Sequence, residues 1–337
     1  MTGEPPAGRH AVTGLPLRPF GSTGLEVTPI GLGLAAVGRP AYINVGRDRD
    51  LGSDRRLDVM EARTHELLDE AVALGIRYVD VARSYGRAEA FLASWLASRA
   101  EGAPPVTVGS KWGYRYVGEW RMDAPVHEVK EHSLEMLRTQ LAESRGLLGG
   151  ALCLYQIHSA TFESGVLENG AVLAELARLR GQGLAIGLTV SGPNQADVIR
   201  AALAVRVDGR NPFGSVQATW NVLEPSAGEA LAEAHDAGWG VIVKEALANG
   251  RLLLPGRPAL EEVAARHDTS PDALALAAAL AQPWADVILS GAATPDQLAS
   301  NVRSPAVRLA AGDLDRLASL AEPAGAYWAE RSALAWT

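Results

Sequence analysis

Gly75-Ile76-Arg77-Tyr78-Val79-Asp80-Val81-Ala82-Arg83-Ser84-Tyr85-Gly86-Arg87-Ala88-Glu89 is the stretch whose reading decides the fold. A short apolar run ends on an acid, Asp80. Tyr85 and Gly86 follow in a turn, and a helix-forming run begins at Ala88. A buried strand that opens into a loop and then a helix is the repeating unit of parallel α/β proteins.

The same unit recurs on both sides of this stretch. Near-continuous apolar runs predict strands over 30–33, 76–79, 106–109, 151–157, 184–190, 215–218, 240–243 and 287–289, as expected when both faces of a sheet are covered. Helical periodicity predicts helices over 64–74, 88–98, 126–144, 172–180, 193–204, 228–235, 260–266 and 271–281. Eight such units with no linker between them argue for an α/β fold closed as a (β/α)8 TIM barrel. Ahead of the first strand, 17–20 and 25–27 flank Gly21-Ser22-Thr23-Gly24 and predict a short N-terminal β-hairpin. After the last strand, 295–301 and 313–321 read as extra C-terminal helices. Residues 1–16, dominated by Gly, Pro and Thr, read as a disordered tail, and 17–337 as a single barrel domain. The polar segment 39–58 shows no period, and loops of that length inside a domain usually carry function. No periodic pattern is visible from Tyr327 onward.

Composition narrows the function classes. The chain has 337 residues, 47% hydrophobic and 21% charged, with a formal net charge of −8. That balance is ordinary for a globular protein and argues against a nucleic-acid partner. The single cysteine, Cys153, permits no intrachain disulfide and reads as a small buried hydrophobe. No secretory signal or membrane-length apolar run is recognisable, so a cytoplasmic location with no membrane partner is expected. Whether the chain is a monomer or a homo-oligomer is left open.

In a (β/α)8 barrel, chemistry gathers at the C-terminal ends of the strands. There the second strand ends at Asp80 with Tyr85 in its loop, the third reaches Lys111 and the fourth His158. Each residue has a plain reading by itself: a helix cap, a solvated charge, a rim hydrogen bond, a packed ring. Their joint occurrence on three successive strand ends points to a site. An acid, a phenol, an ammonium and an imidazole aimed at one point suit proton transfer. A free tyrosine, with a pKa of about 10, holds its proton too tightly to serve well. A nearby ammonium, Lys111, is expected to lower it, with Asp80 keeping Lys111 charged and His158 beside them.

These residues resemble the Asp-Tyr-Lys-His tetrad of the aldo-keto reductase superfamily, in a branch that includes bacterial aldose dehydrogenases. Gly33, Tyr85-Gly86 with Glu89, Tyr155-Gln156-Ile157-His158, Ile186-Gly187-Leu188, Val216-Gln217 and Gly291 with Gln297-Leu298 and Asn301 carry the resemblance. It implies an oxidoreductase that interconverts a carbonyl (aldehyde, ketone or sugar lactone/lactol) and an alcohol with NAD(P)(H). Asp80, Tyr85, Lys111 and His158 would be catalytic. Thr189, Gln217, Lys244, Ser290, Gly291, Ala292, Gln297 and Asn301 would bind the cofactor. The alternative is a cofactor-binding regulatory barrel with little turnover.

The cofactor half departs from the family pattern. Val190 stands where an asparagine amide is usual, and Lys244 where a tyrosine often stacks on the nicotinamide; Trp220 is a candidate substitute. Backbone amides at 291–293 and the helix after them suit a phosphate. The resemblance points to NADP(H), but no basic residue lies between Ser290 and Asn301 to meet an extra phosphate, which leaves NAD(H) open beside it. Tyr42, Trp112, Trp120 and Trp220 are candidate platforms for a small carbonyl or sugar substrate. Two rival motifs fail on spacing. Gly31-Leu32-Gly33 lacks the helix a dinucleotide fingerprint needs, because Gly38-Arg39-Pro40 interrupts it. His127 and His132 are five apart, about 140° around a helix, and no metal is expected.

Overall fold

The computed structural model describes residues 14–337. Eight strands form a closed parallel barrel: β1 (Ile30–Gly33), β2 (Tyr78–Asp80), β3 (Thr107–Trp112), β4 (Leu152–Ala160), β5 (Ala185–Val190), β6 (Ser215–Thr219), β7 (Gly240–Lys244) and β8 (Val287–Ser290). Each pairs with its neighbours in chain order, and β8 closes on β1 through Ile288 opposite Ile30. The expected TIM barrel is therefore present. Outward side chains of the strands meet the apolar stripes of the helices between them, as where Val79, Leu188 and Val243 share one buried core with Leu67, Leu176 and Leu231.

The barrel interior is plugged from below. The predicted hairpin pairs Arg18–Pro19 with Glu26–Val27. It carries Phe20, fully buried, into a cluster with Val27, Tyr78, Leu154, Ile242 and Val287. Gly109 sits inside this layer because a Cβ there would collide with the Tyr78 hydroxyl. The C-terminal helices, Ala311–Ala318 and Ala324–Ser332, pack Leu317, Tyr327 and Trp328 against Leu252, Leu260 and Leu274.

Four expectations are corrected. The helix expected over 126–144 begins only at Leu134, and Glu128–Lys130 instead pairs antiparallel with Tyr114–Tyr116. Charged Glu128 and Lys130 suggested helix, but the pairing partner across the barrel mouth prevails. The segment 39–58 contains a short helix, Arg47–Leu51, and the start of Leu57–Ala73. The stretch from Tyr327 lies in the helix Ala324–Ser332. Cys153 is half-buried, with its thiol 3.3 Å from the Ala151 carbonyl. Of the expected tail, residues 1–13 lie outside the described residues, while Leu15 packs on the core.

Arg47 explains how an aperiodic loop becomes ordered. Its buried guanidinium donates to the carbonyls of Ala36 (2.7 Å), Pro40 (2.8 Å) and Arg39 (2.5 Å), and to the backbone oxygen of Thr337 (2.6 Å). One side chain thus satisfies backbone groups that neither helix nor sheet would use. Among the described residues, no helix is long and apolar enough to cross a membrane.

Candidate active site

Three strands and one turn bring four polar side chains together at the C-terminal mouth. In register, Asp80 lies opposite Gly109, so Lys111 stands two positions further along β3, on the same inward face. Lys111 lies opposite Gln156, which puts His158 two positions further again on β4. The barrel's stagger converts three strand ends into a staircase.

Lys111 and Asp80 form a buried ion pair, and the ammonium also donates to the Val81 carbonyl at 3.1 Å. The second carboxylate oxygen of Asp80 accepts from the Gln217 amide at 2.9 Å and from the Tyr78 hydroxyl at 3.5 Å. A buried ion pair persists only when its remaining lone pairs are satisfied in this way. Lys111 Nζ sits 4.9 Å from the centre of the Tyr85 ring. His158 meets that ring edge-on, with centroids 5.6 Å apart and planes at 83°. His158 is itself fixed: Ser84 Oγ lies 3.4 Å from its Nδ1, and His132 Nε2 lies 2.9 Å from its carbonyl oxygen.

Burial pushes the Tyr85 phenol well above the ordinary tyrosine range; Asp80 adds to the rise and Arg39 opposes it. The expected lowering by Lys111 does not prevail, because burial, and then Asp80, push the other way. Burial also drives the His158 imidazole far below its usual value, with Lys111, Arg39 and Lys244 acting in the same direction. At neutral pH the site therefore holds a protonated phenol beside a neutral imidazole.

Asp80, Tyr85 and His158 open on a cavity of about 380 Å³. The cavity continues across the barrel to Gln297 and Asn301, and all eight expected cofactor residues line it. The Thr189 hydroxyl accepts from the Ser159 amide at 2.7 Å and keeps its own proton to donate. The carbonyl oxygen of Gln217 has no partner among the described residues, whereas its amide is held by Asp80. An amide-bearing ring fits such a pair, one group offering a donor and the other an acceptor. Val190 is buried in the core and offers nothing to the cavity.

At the far end Ser290 Oγ donates to Asn301 (2.7 Å), and the amides of Ala292 and Ala293 are taken by Ser290 (3.3 Å) and Gln297 (2.9 Å). Those amides, expected to be free for a phosphate, already have partners. The Gln297 amide donates to Asp50 at 2.8 Å, so the loop after β1 reaches across to the helix after β8.

The expected substrate platforms divide. Tyr42 lines the cavity. Trp112 is fully buried against His132, Trp120 packs on Phe91, and Trp220 packs on Trp284; none of the three lines the cavity. Trp220 thus cannot take the place of a stacking ring at Lys244. Instead Tyr42, Tyr114 and Trp336 supply the aromatic walls. Sequence reasoning also missed Arg39. It is buried, paired to Glu128 at 2.7 Å, and lies 4.6 Å from the Tyr42 ring centre and 5.2 Å from that of Tyr85. A partner 89 residues away in the chain leaves no local signal.

Residues 30–322 match the Aldo/keto reductase family. The chain belongs to that family. As a family member it is an oxidoreductase of carbonyl and alcohol groups. It is similar to YqkF of Bacillus subtilis, an uncharacterized oxidoreductase, at 24% identity over 86% of this chain and 91% of that one. Among solved structures it resembles the aldo-keto reductase AKR11C1 of Bacillus halodurans in its holo form (TM-score 0.69, 22% identity, covering 92% of this chain and 97% of that one), a likeness of fold. It also resembles PA4992 of Pseudomonas aeruginosa, assigned as an aldo-keto reductase (TM-score 0.63, 26% identity, 86% and 94% covered).

Proposed function

We propose that the chain is a nicotinamide-dependent oxidoreductase that interconverts a small polar carbonyl compound and its alcohol, with Tyr85 moving the proton. The observation that carries this reading is the buried Asp80–Lys111 pair set against the Tyr85 ring, with His158 beside it, facing one cavity.

Thr189 and Gln217 would hold the carboxamide, and Ser290, Gly291, Ala292, Gln297 and Asn301 the nucleotide end. When bound, the nicotinamide supplies the hydride to the carbonyl carbon or accepts it from the alcohol carbon. Tyr85 gives its phenolic proton to the carbonyl oxygen in the reductive direction and recovers it in reverse. Its raised pKa keeps that proton in place at neutral pH, so its release has to be eased as hydride arrives. Lys111 steadies the developing phenolate, and Asp80 holds Lys111 in position. A neutral His158 donates a hydrogen bond to the carbonyl oxygen without competing as a stronger acid.

Tyr42, Tyr114 and Trp336, with Arg39, Glu128 and Lys130 among them, give the substrate side aromatic walls and polar contacts. That lining favours an aldehyde, ketone or sugar over a long apolar chain. The cofactor reading takes in both NADP(H) and NAD(H).

Tyr85→Phe tests the assignment. Turnover of a panel of aldehydes, ketones and sugars is expected to fall by about 10²–10⁴-fold, the scale of a lost general acid, while nucleotide binding followed by fluorescence persists. Undiminished turnover in this variant would overturn the role of Tyr85. Nucleotide binding with no turnover of any panel compound by the wild type would favour the regulatory barrel instead.

A further inference from the structure

Lys244 is a charged side chain of the groove to which the proposed chemistry gives no role. It ends β7 opposite Thr219, while Gln217 lies opposite Ile242 two positions below. Thr219 and Lys244 therefore stand one step above Gln217 on the inward face. The ammonium donates to Thr219 Oγ1 at 2.8 Å and to Ser191 Oγ at 3.1 Å, and its side chain is only 15% exposed. Both anchors are neutral hydroxyls. They fix the position of the charge without cancelling it.

The nearby carboxylate cancels it only in part. Glu245 Oε1 is 3.8 Å from Lys244 Nζ, but Glu245 is already engaged by Arg331, whose Nε is 2.7 Å away. Lys111 is likewise matched by Asp80. Two cations, Lys244 and Arg331, thus share one carboxylate, which leaves a net positive charge at this end of the groove, beside Thr189 and Gln217.

We propose that Lys244 sets the redox preference of the bound nicotinamide, holding the neutral reduced ring more tightly than the cationic oxidised ring, so that the site loads with reduced cofactor and releases the oxidised form while the equilibrium on the protein shifts toward the reduced ring. This rests on the reading of the groove as a nicotinamide site. The oxidised ring carries a positive charge and the dihydro ring is neutral. In the overall reaction, carbonyl compound, reduced cofactor and a proton give alcohol and oxidised cofactor; the ring gains one positive charge as it loses its hydride. A fixed ammonium within a poorly solvated groove penalises the oxidised ring selectively. By thermodynamic necessity, a differential affinity for the two forms shifts their equilibrium on the protein by the same factor.

The pH dependence follows from the neighbours. Burial lowers Lys244; Glu245 opposes the shift, and Arg331 and Lys111 add to it, leaving a pKa of about 8. The groups facing it are Glu245 on its own strand end, Arg331 from the C-terminal helix, the Asp80–Lys111 pair from β2 and β3, and His158 from β4. Of these, His158 is neutral at working pH and the others pair.

Equilibrium titration by fluorescence, with NADH against NAD⁺ and NADPH against NADP⁺, tests the proposal without relying on turnover. Wild type at pH 7 is expected to bind the reduced member of its preferred pair at least tenfold more tightly, equivalent to about 30 mV for a two-electron couple. Lys244→Met should lower that ratio about tenfold and Lys244→Arg should keep most of it. In wild type the ratio should also shrink as pH rises through about 8. That arm needs no variant to fold. An unchanged ratio in folded Lys244→Met, or a ratio flat from pH 6.5 to 9.5, would overturn the proposal while leaving the cofactor assignment standing. Failure of all four nucleotides to bind wild type would remove the cofactor assignment, and this proposal with it.

Discussion

Glu245 shows what a single residue at this mouth demands of its surroundings. It follows β7 with a left-handed backbone (φ 58°), a conformation unfavourable for a side chain of its size. Burial would raise its carboxyl, but Arg331 and Lys244 more than reverse that, holding it at about 2. Its folded pKa is thus below the unfolded value of about 4.3, so its contribution to stability is complete above that value and is lost as pH falls through about 2. The depression corresponds to about 3 kcal/mol. Arg331→Met leaves the buried carboxylate with only Lys244, 3.8 Å away, and should destabilise the fold at pH 7 by up to about 3 kcal/mol. Urea midpoints measured from pH 7 to pH 2 check this. The gap between wild type and variant should narrow on acidification, and a gap independent of pH would show that the pair contributes little. None of this was legible in the sequence, where Lys244-Glu245 read only as a departure from an expected tyrosine. The four residues of the staircase were legible because strand ends are marked by where an apolar run stops. Arg39 and the three misread tryptophans were not, because burial of a polar group or a ring depends on what folds against it.

At the scale of elements, the turn after β2 positions Tyr85, and its glycine has a specific cause. Gly86 has φ 61°, and a Cβ there would lie 2.6 Å from the Gly38 carbonyl oxygen and 2.9 Å from Arg39 Cβ. The loops after β1 and β2 meet closely here, where the Arg87 amide donates to the Gly38 carbonyl at 2.7 Å. Gly86→Ala combines left-handed strain with a collision, at a cost of about 1–3 kcal/mol, and pushes Tyr85 relative to Lys111. Its kcat should fall at least tenfold, with nucleotide affinity changed less than threefold, since Thr189 and Gln217 sit on other strands. A kcat within twofold of wild type would mean that the turn tolerates the methyl group and that Tyr85 is held by its ring contacts instead. Elements of this kind divide the same way between legible and hidden. The strands were readable because they are apolar on both faces. Of the hairpin that pairs Tyr114–Tyr116 with Glu128–Lys130, the second strand was read as part of the helix 126–144, because its pairing is made only once the barrel mouth exists.

At the scale of the whole molecule, the substrate side is assembled from segments that lie far apart in the chain. Trp336 stacks on His127 from the second hairpin region (centroids 4.2 Å, planes at 11°) and meets Tyr42 from the loop after β1 edge-on at 6.3 Å. Arg39 lies 4.9 Å from its ring centre. Tyr42 and Thr337 exchange two backbone hydrogen bonds of 3.0 Å, and Arg47 grips the Thr337 oxygen from below. The last residues of the chain thus strap the first long loop to the hairpin after β3, closing a wall that the barrel strands do not supply. The chemistry proposed for this aldo/keto reductase rests on β2, β3 and β4, whereas the wall rests on the strap, so the two should separate experimentally. Trp336→Ala removes one stacked ring, about 0.5–1.5 kcal/mol beyond its burial, and loosens all three segments. KM for the carbonyl substrate should rise about tenfold while kcat stays within about threefold, because Lys111, Asp80 and Tyr85 keep their strand-borne geometry. Nucleotide affinity should move less than KM, since Gln217 and Thr189 lie on the opposite side of the mouth. Steady-state kinetics with titration of the nucleotide alone distinguish the outcomes: a collapse of kcat at constant KM would move Trp336 from the wall into the reacting centre.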